Sequence, residues 1–308
     1  MSLIIYHNTI VKISEIYEQI SDMESNLTGD YSFSPENVYQ EGCPKNKAIL
    51  GGLAEKFLLP GSRIENTEAI KELYRRSMAG ESCLILSEHY SNFDFPIFYH
   101  LIEKNPSLGP KIAETLLPIR GMKLSEDSPI TALFTRSYDT LIIYPSRSLD
   151  NITNTEKLAA IRKISIPINH AAMREMINRK KNSRIILVFP AGTRYRPWDP
   201  SSRKGVREIH SYIKTFDNVL FLAINGNALP PHKSGDMTRD TAIPDLMILT
   251  CSDIVKGREF RKIAEKSAPV DVDPKQYVVN RVMAELEAIN NRVEPMRLKE
   301  KEKLGKLP

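Results

Sequence analysis

Cysteine is scarce, with 3 in 308 residues. Cys43, Cys83 and Cys251 are odd in number and far apart, and they form no Cys-x-x-Cys or Cys/His ligand spacing. That pattern argues against a disulfide framework and against a zinc site, and a reducing cytosol fits it best. Long apolar runs are missing too. No stretch approaches the roughly 18–20 residues that cross a bilayer, and the opening Met-Ser-Leu-Ile-Ile-Tyr-His does not lead from a basic segment into a long apolar run. The expectation is a soluble, cytoplasmic protein, peripheral to a membrane at most. Neither sign of charge dominates: 43 Lys and Arg against 38 Asp and Glu leave a formal +5. This is too little to announce DNA or RNA, yet it suits anionic ligands or a lipid surface. There is no internal repeat and no low-complexity segment.

What is present is an alternation of elements. Apolar β-rich runs recur at Cys83–Ser87, Thr140–Tyr144, Arg184–Phe189, Val219–Ile224 and Leu246–Cys251, with helical patterns between most of them. The helices are expected at Pro96–Lys104, Pro129–Thr135, Asn154–Lys163, Pro167–Lys180 and Arg203–Lys214. This predicts an α/β fold with a mostly parallel central sheet flanked by helices, over residues 81–308. Residues 1–80 read differently. Helical spacing covers Val11–Ile20 and Ala48–Leu59, and Asn66 to Gly80 looks like a helix with both ends marked. No strand pattern appears there, so a small N-terminal helical domain is expected. At the other end, Pro274–Asn291 has the spacing of one amphipathic helix, and Arg297–Pro308 reads as a charged, solvated tail.

Chemistry is expected at His89-Tyr-Ser-Asn-Phe-Asp94, between the first apolar run and a helix. Residues five apart point about 140° apart on a helix, and an odd spacing on a strand gives opposite faces. His89 and Asp94 therefore meet only if the chain turns between them, as it does where a strand hands over to a helix. In open α/β sheets ligands bind at that edge. A His held by a carboxylate has one nitrogen fixed as donor and the other available as a base. The residues alone leave open a surface His, with Asp94 merely capping the helix ahead of Pro96.

A second cluster follows Arg184–Phe189: Pro190-Ala-Gly-Thr-Arg-Tyr-Arg-Pro-Trp-Asp199. Arg194 and Arg196, on a loop containing Gly192 and Thr193, suit a dianionic phosphate. Arg offers a planar fork of donors, and the backbone N–H groups of such a loop add more. Exposed loop charges with Gly192 only supplying a turn remain the alternative. Plainer roles are expected elsewhere: His100, His170 and His210 as core or surface residues, Trp198 as a loop Trp closing over the core, and Lys204 and Arg207 as solvent-facing cations on a helix.

His-x4-Asp after a strand, then Phe-Pro-x-Gly-Thr-Arg about a hundred residues later, resembles the glycerolipid acyltransferases, which include glycerol-3-phosphate and lysophosphatidate acyltransferases. The likeness runs from about Asn66 to Pro231 and is nearest to the soluble plastid-type glycerol-3-phosphate acyltransferase. It is carried further by Leu141-Ile-Ile-Tyr-Pro-Ser-Arg147, by Ala171-Ala-Met-Arg-Glu-Met176, by Arg194-x-Arg196-Pro197 and by Leu229-Pro-Pro231. Three places depart from the family pattern. Ala191 stands where the membrane-bound relatives commonly have Glu, which the plastid type also lacks. Pro145-Ser-Arg147-Ser stands where the plastid type carries a phosphate-binding Lys-His pair. Tyr90, Ser91 and Asn92 also differ, which bears on acyl or acceptor preference.

The resemblance implies that His89 is a general base oriented by Asp94, and that Arg194, Arg196 and Arg147, with Gly192 and Thr193, bind the acceptor phosphate. The implied reaction moves a fatty acyl group from acyl-carrier protein or coenzyme A to the sn-1 hydroxyl of glycerol 3-phosphate, with no metal or cofactor beyond the thioester co-substrate. The nearest alternative acceptor is lysophosphatidate. The alternative from another class is a non-catalytic phospholipid- or phosphate-binding protein of the same fold. Contact with the inner face of the membrane is the peripheral option.

Overall fold

The apolar runs become the middle of one sheet. The structure, a computed structural model, describes residues 11–12, 17–28, 32–122, 133–145 and 153–305. In chain order the first half holds β1 (Val11–Lys12), α1 (Tyr17–Ser25), β2 (Tyr39–Gln40), α2 (Pro44–Phe57), β3 (Arg63–Glu65), α3 (Thr67–Met78), β4 (Cys83–Ser87), α4 (Asp94–Lys104), α5 (Pro110–Ala113) and β5 (Leu116–Gly121). Then come β6 (Thr140–Ile143), α6 (Thr155–Lys181), β7 (Ile185–Val188), α7 (Ile209–Thr215), β8 (Asn218–Asn225), β9 (Thr241–Ala242), β10 (Ile248–Cys251), β11 (Val255–Lys256), α8 (Gly257–Lys266) and α9 (Pro274–Leu304).

The main sheet has the order β2-β6-β5-β7-β4-β8-β10-β3, and β11 adds to β8. β4 lies at its centre, parallel to both β7 and β8. All five of its residues are buried, as expected for a strand covered on both faces. Alternate residues enter opposite layers. Cys83 and Ile85 pack with Leu50 and Phe57 of α2, Leu73 of α3 and Phe98 of α4, while Leu84 and Leu86 meet Ile168 of α6, Ile213 of α7 and Val282 of α9. The result is an α/β/α arrangement. Each fully buried Leu or Ile here contributes about 1.5–3 kcal/mol by leaving water.

The sheet is mixed rather than mostly parallel. β10 and β11 run antiparallel to β8, and β2 runs antiparallel to β6. β8 reaches β10 without a crossover helix, and a neighbour joined that way has to run back. The first eighty residues also build more than helices. β2 and β3 lie at the two ends of the strand order, and α2 and α3 share a core with β4. Val11–Lys12, expected within a helix, instead pairs with β9 as a strand, while Tyr17–Ser25 is helical.

Other differences have local causes. The two helices expected at Asn154–Lys163 and Pro167–Lys180 form one 27-residue helix, α6, with Pro167 inside it. An interior Pro removes a backbone bond and costs about 3 kcal/mol in isolation. Here Ile161, Ile168, Ala171 and Ala172 are buried around it, and the Asn169 side chain bonds both the N–H and the carbonyl of Tyr144. The helix expected over Arg203–Lys214 is a 3-10 turn at Pro200–Arg203 and then α7. Most of Pro129–Thr135 lies outside the described residues.

Of the expected solvated tail, residues 297–304 form the last quarter of α9. Arg297 is buried and bonded to Asp245 and Glu294, and Glu300 pairs with Arg63 of β3. At its start Gln276 donates to Gly205 O, and midway Asn290 donates to Glu88 and to Ile224 O. Among the described residues no helix is long and apolar enough to cross a membrane.

Candidate active site

Because β7, β4 and β8 are parallel neighbours, their carboxyl ends open on one edge. The chain leaving β4 turns through residues 88–93 and enters α4 at Asp94. In that turn His89 Nδ1 lies 2.9 Å from Asp94 Oδ2. Asp94 is 1% exposed, and its carboxylate also accepts from Tyr90 N at 2.6 Å, Ser91 N at 2.9 Å and Ser91 Oγ at 2.9 Å. These donors lie ahead of the helix, so Asp94 braces the turn rather than capping α4. A carboxylate so held accepts from Nδ1–H, and the neutral ring then keeps its lone pair on Nε2. The imidazole side chain is 17% exposed and stacks on Phe189, with ring centroids 4.0 Å apart.

The second cluster sits beside this turn. Gly192 has φ +63°, and a Cβ there would come within 3.3 Å of Val206 Cγ1. Glycine is therefore needed for the bend and for the space. Tyr195 N donates to His89 O at 2.7 Å, joining the two loops through their backbones. The Tyr195 ring meets Tyr90 edge to face at 5.8 Å, and the Arg203 guanidinium lies 4.2 Å from its centroid.

The two arginines of the loop diverge. Arg194 is 6% exposed and forms an ion pair with Asp240, itself 0% exposed, whose other oxygen accepts from His232 N at 2.8 Å. Its charge is thus committed to the segment between β8 and β9. Arg196 stays accessible at 31% exposure, and among the described residues it pairs only with Asp199, 3.9 Å away. Thr193 is half-buried in the same turn and Gly192 is exposed. Arg147 lies outside the described residues.

Glu88 was not singled out by the sequence. Its Oε2 accepts from Ile224 N and Asn290 Nδ2, both at 2.8 Å, and its Oε1 from Tyr90 Oη at 2.9 Å. Burial pushes the carboxyl up to about 7, against the opposing effect of these bonds. Between the ordinary value of 4.5 and about 7 the folded protein holds a proton that the unfolded chain has lost. Stability from this group is therefore full below pH 4.5 and declines as pH rises towards 7. Glu88→Gln is expected to remove that loss, so that between pH 5 and pH 8 the wild type loses about 2–3 kcal/mol more than the variant in urea unfolding. Equal losses would mean that Glu88 is ionised throughout.

The remaining residues fall as follows. His100 is buried within α4, with its pKa lowered by burial; His170 is exposed on α6; His210 is buried and bonded to Glu265. Trp198 is 40% exposed and does not close over the core. Its neighbours Arg196, Pro197 and Asp199 form a tight turn that keeps the backbone at the surface. Lys204 and Arg207 are exposed between the 3-10 turn and α7 rather than on a helix, and Arg207 pairs with Asp273. No family model matches the chain, and no curated protein matches it.

Proposed function

We propose that the protein transfers an acyl group from a thioester to the hydroxyl of a phosphate-bearing acceptor, with glycerol 3-phosphate as that acceptor and its sn-1 hydroxyl as the site. The observation that carries this reading is the buried, four-donor carboxylate of Asp94 bonded to a partly exposed His89. A phosphate-binding protein needs cations, but it has no use for an oriented base. The sequence resemblance to glycerolipid acyltransferases supports the same choice.

In this reading His89 Nε2 takes the proton of the acceptor hydroxyl as the oxygen attacks the thioester carbonyl. Asp94 steadies the imidazolium that results. Collapse of the tetrahedral adduct breaks the C–S bond, and the thiolate leaves with the proton from His89, so no acyl-enzyme forms. Arg196 holds the phosphate, and Arg203 adds positive charge beside it. Arg194, through Asp240, sets the course of the loop from within. Acyl-carrier protein and coenzyme A thioesters are the candidate donors.

The test is thiol release by purified protein from palmitoyl-coenzyme A and from acyl-carrier protein, with glycerol 3-phosphate or lysophosphatidate added. Release dependent on glycerol 3-phosphate supports the reading, and release only with lysophosphatidate moves the acceptor one acylation further. Silence with every pair, in folded protein, sinks it in favour of a binding protein. Arg196→Ala is expected to raise KM for glycerol 3-phosphate roughly 10–100-fold, the worth of a charged hydrogen bond, with kcat little changed. An unchanged KM would remove Arg196 from the phosphate site.

A further inference from the structure

α6 carries apolar side chains on two faces. One is buried against the sheet through Ile161, Ile168 and Met176. The other faces outward: Ile166 is 51% exposed, Met173 55% and Ile177 40%. Spacings of seven and eleven residues project these three within about 40° on a helix, so they form a single stripe rather than scattered surface residues. Exposed Ala159 and His170 fall on the same line. The helix contains seven Lys and Arg against two Glu, a net +5 that equals the formal charge of the whole chain. Of these, Arg162, Lys163 and Arg174 are exposed beside the stripe.

We propose that the outer face of α6 docks the protein on an anionic bilayer surface. Aliphatic side chains in a line, flanked by long cationic ones, match the boundary between acyl chains and negative headgroups; the Lys and Arg stems lie along the apolar layer with their charges in the headgroups. An acidic nucleic acid would use the cations and leave the stripe in water. The helix is already formed and fixed to the end of β6 by Asn169, so docking requires no folding on the membrane. The concentration of the net charge on this one element orients the approach before contact.

The test is co-sedimentation of the full chain with vesicles of phosphatidylcholine alone and of phosphatidylcholine with phosphatidylglycerol. Binding is expected to the anionic vesicles, roughly tenfold stronger than to the neutral ones at low salt, and weakened by high salt. Met173→Ser with Ile177→Ser, and separately Arg162→Glu with Lys163→Glu, are each expected to lower it roughly tenfold. Lys262→Glu with Lys299→Glu, the same charge change on α8 and α9, should leave it nearly intact. All three pairs alter exposed side chains, and an unchanged thermal unfolding curve certifies the fold. No binding to anionic vesicles, or loss that follows total charge regardless of place, overturns the proposal. So does vesicle-independent capture of an acidic carrier protein through the same cations. The measurement needs no turnover, so it stands or falls separately from the acyl-transfer assay.

Discussion

His89→Ala is expected to lower kcat for acyl transfer by about 10²–10⁴-fold, with glycerol 3-phosphate binding within a few-fold of wild type by calorimetry. The reason is a division of labour seen in the geometry. His89 is held by Asp94 at 2.9 Å, while the accessible cations Arg196 and Arg203 lie on the neighbouring loop. Removing the imidazole takes away the proton acceptor without touching those cations. The His89 carbonyl still receives the Tyr195 N–H, because that bond is made by backbone. Wild-type kcat in the variant would mean that another group is the base; loss of binding along with rate would mean that His89 holds the acceptor instead.

Asp240→Ala is expected to cost about 3–5 kcal/mol of stability, lowering the thermal midpoint by roughly 10 °C. Asp240 is 0% exposed and its partner Arg194 is 6% exposed, so deleting the carboxylate leaves a guanidinium in the interior without its counter-charge. The His232 N–H loses its acceptor as well. A second substitution sharpens the test. Arg194→Met added to Asp240→Ala should recover part of the loss, because no charge then remains buried. Calorimetric unfolding of the three proteins decides it. A single-variant loss below about 1 kcal/mol, or no recovery in the double variant, would show that the pair does not hold the two loops together.

How far the sequence could lead depended on where each element finds its partners. β4, β6, β7, β8 and β10 are apolar runs whose burial on both faces is written in their own residues. β5 carries Pro118 in its interior, which hides the strand in the sequence, yet it pairs with both β6 and β7. β3 is Arg-Ile-Glu, with one apolar residue to show, and becomes a strand only because β10 lies beside it. Pro167 reads as the start of a helix, and packing on both sides of it carries α6 through.

The same holds at the site. His89 and Asp94 could be joined on paper because five residues apart is a spacing that only a turn brings together. Glu88 could not, since its partners Ile224 and Asn290 are 136 and 202 residues away. Arg194 and Arg196 look equivalent in sequence. Asp240, 46 residues downstream, turns one inward and leaves the other for a ligand.

α9 gives the molecule one more property. Its 31 residues span about 46 Å and fasten, in turn, the loop after β7 at Gly205, the turn after β4 at Glu88, and the segment before β10 at Asp245. Three walls that arise far apart in the chain are therefore clasped by a single rod. None of them can swing far open while that rod stays docked, so the edge of the sheet should behave as one cooperative unit in hydrogen exchange, its amides released together rather than loop by loop.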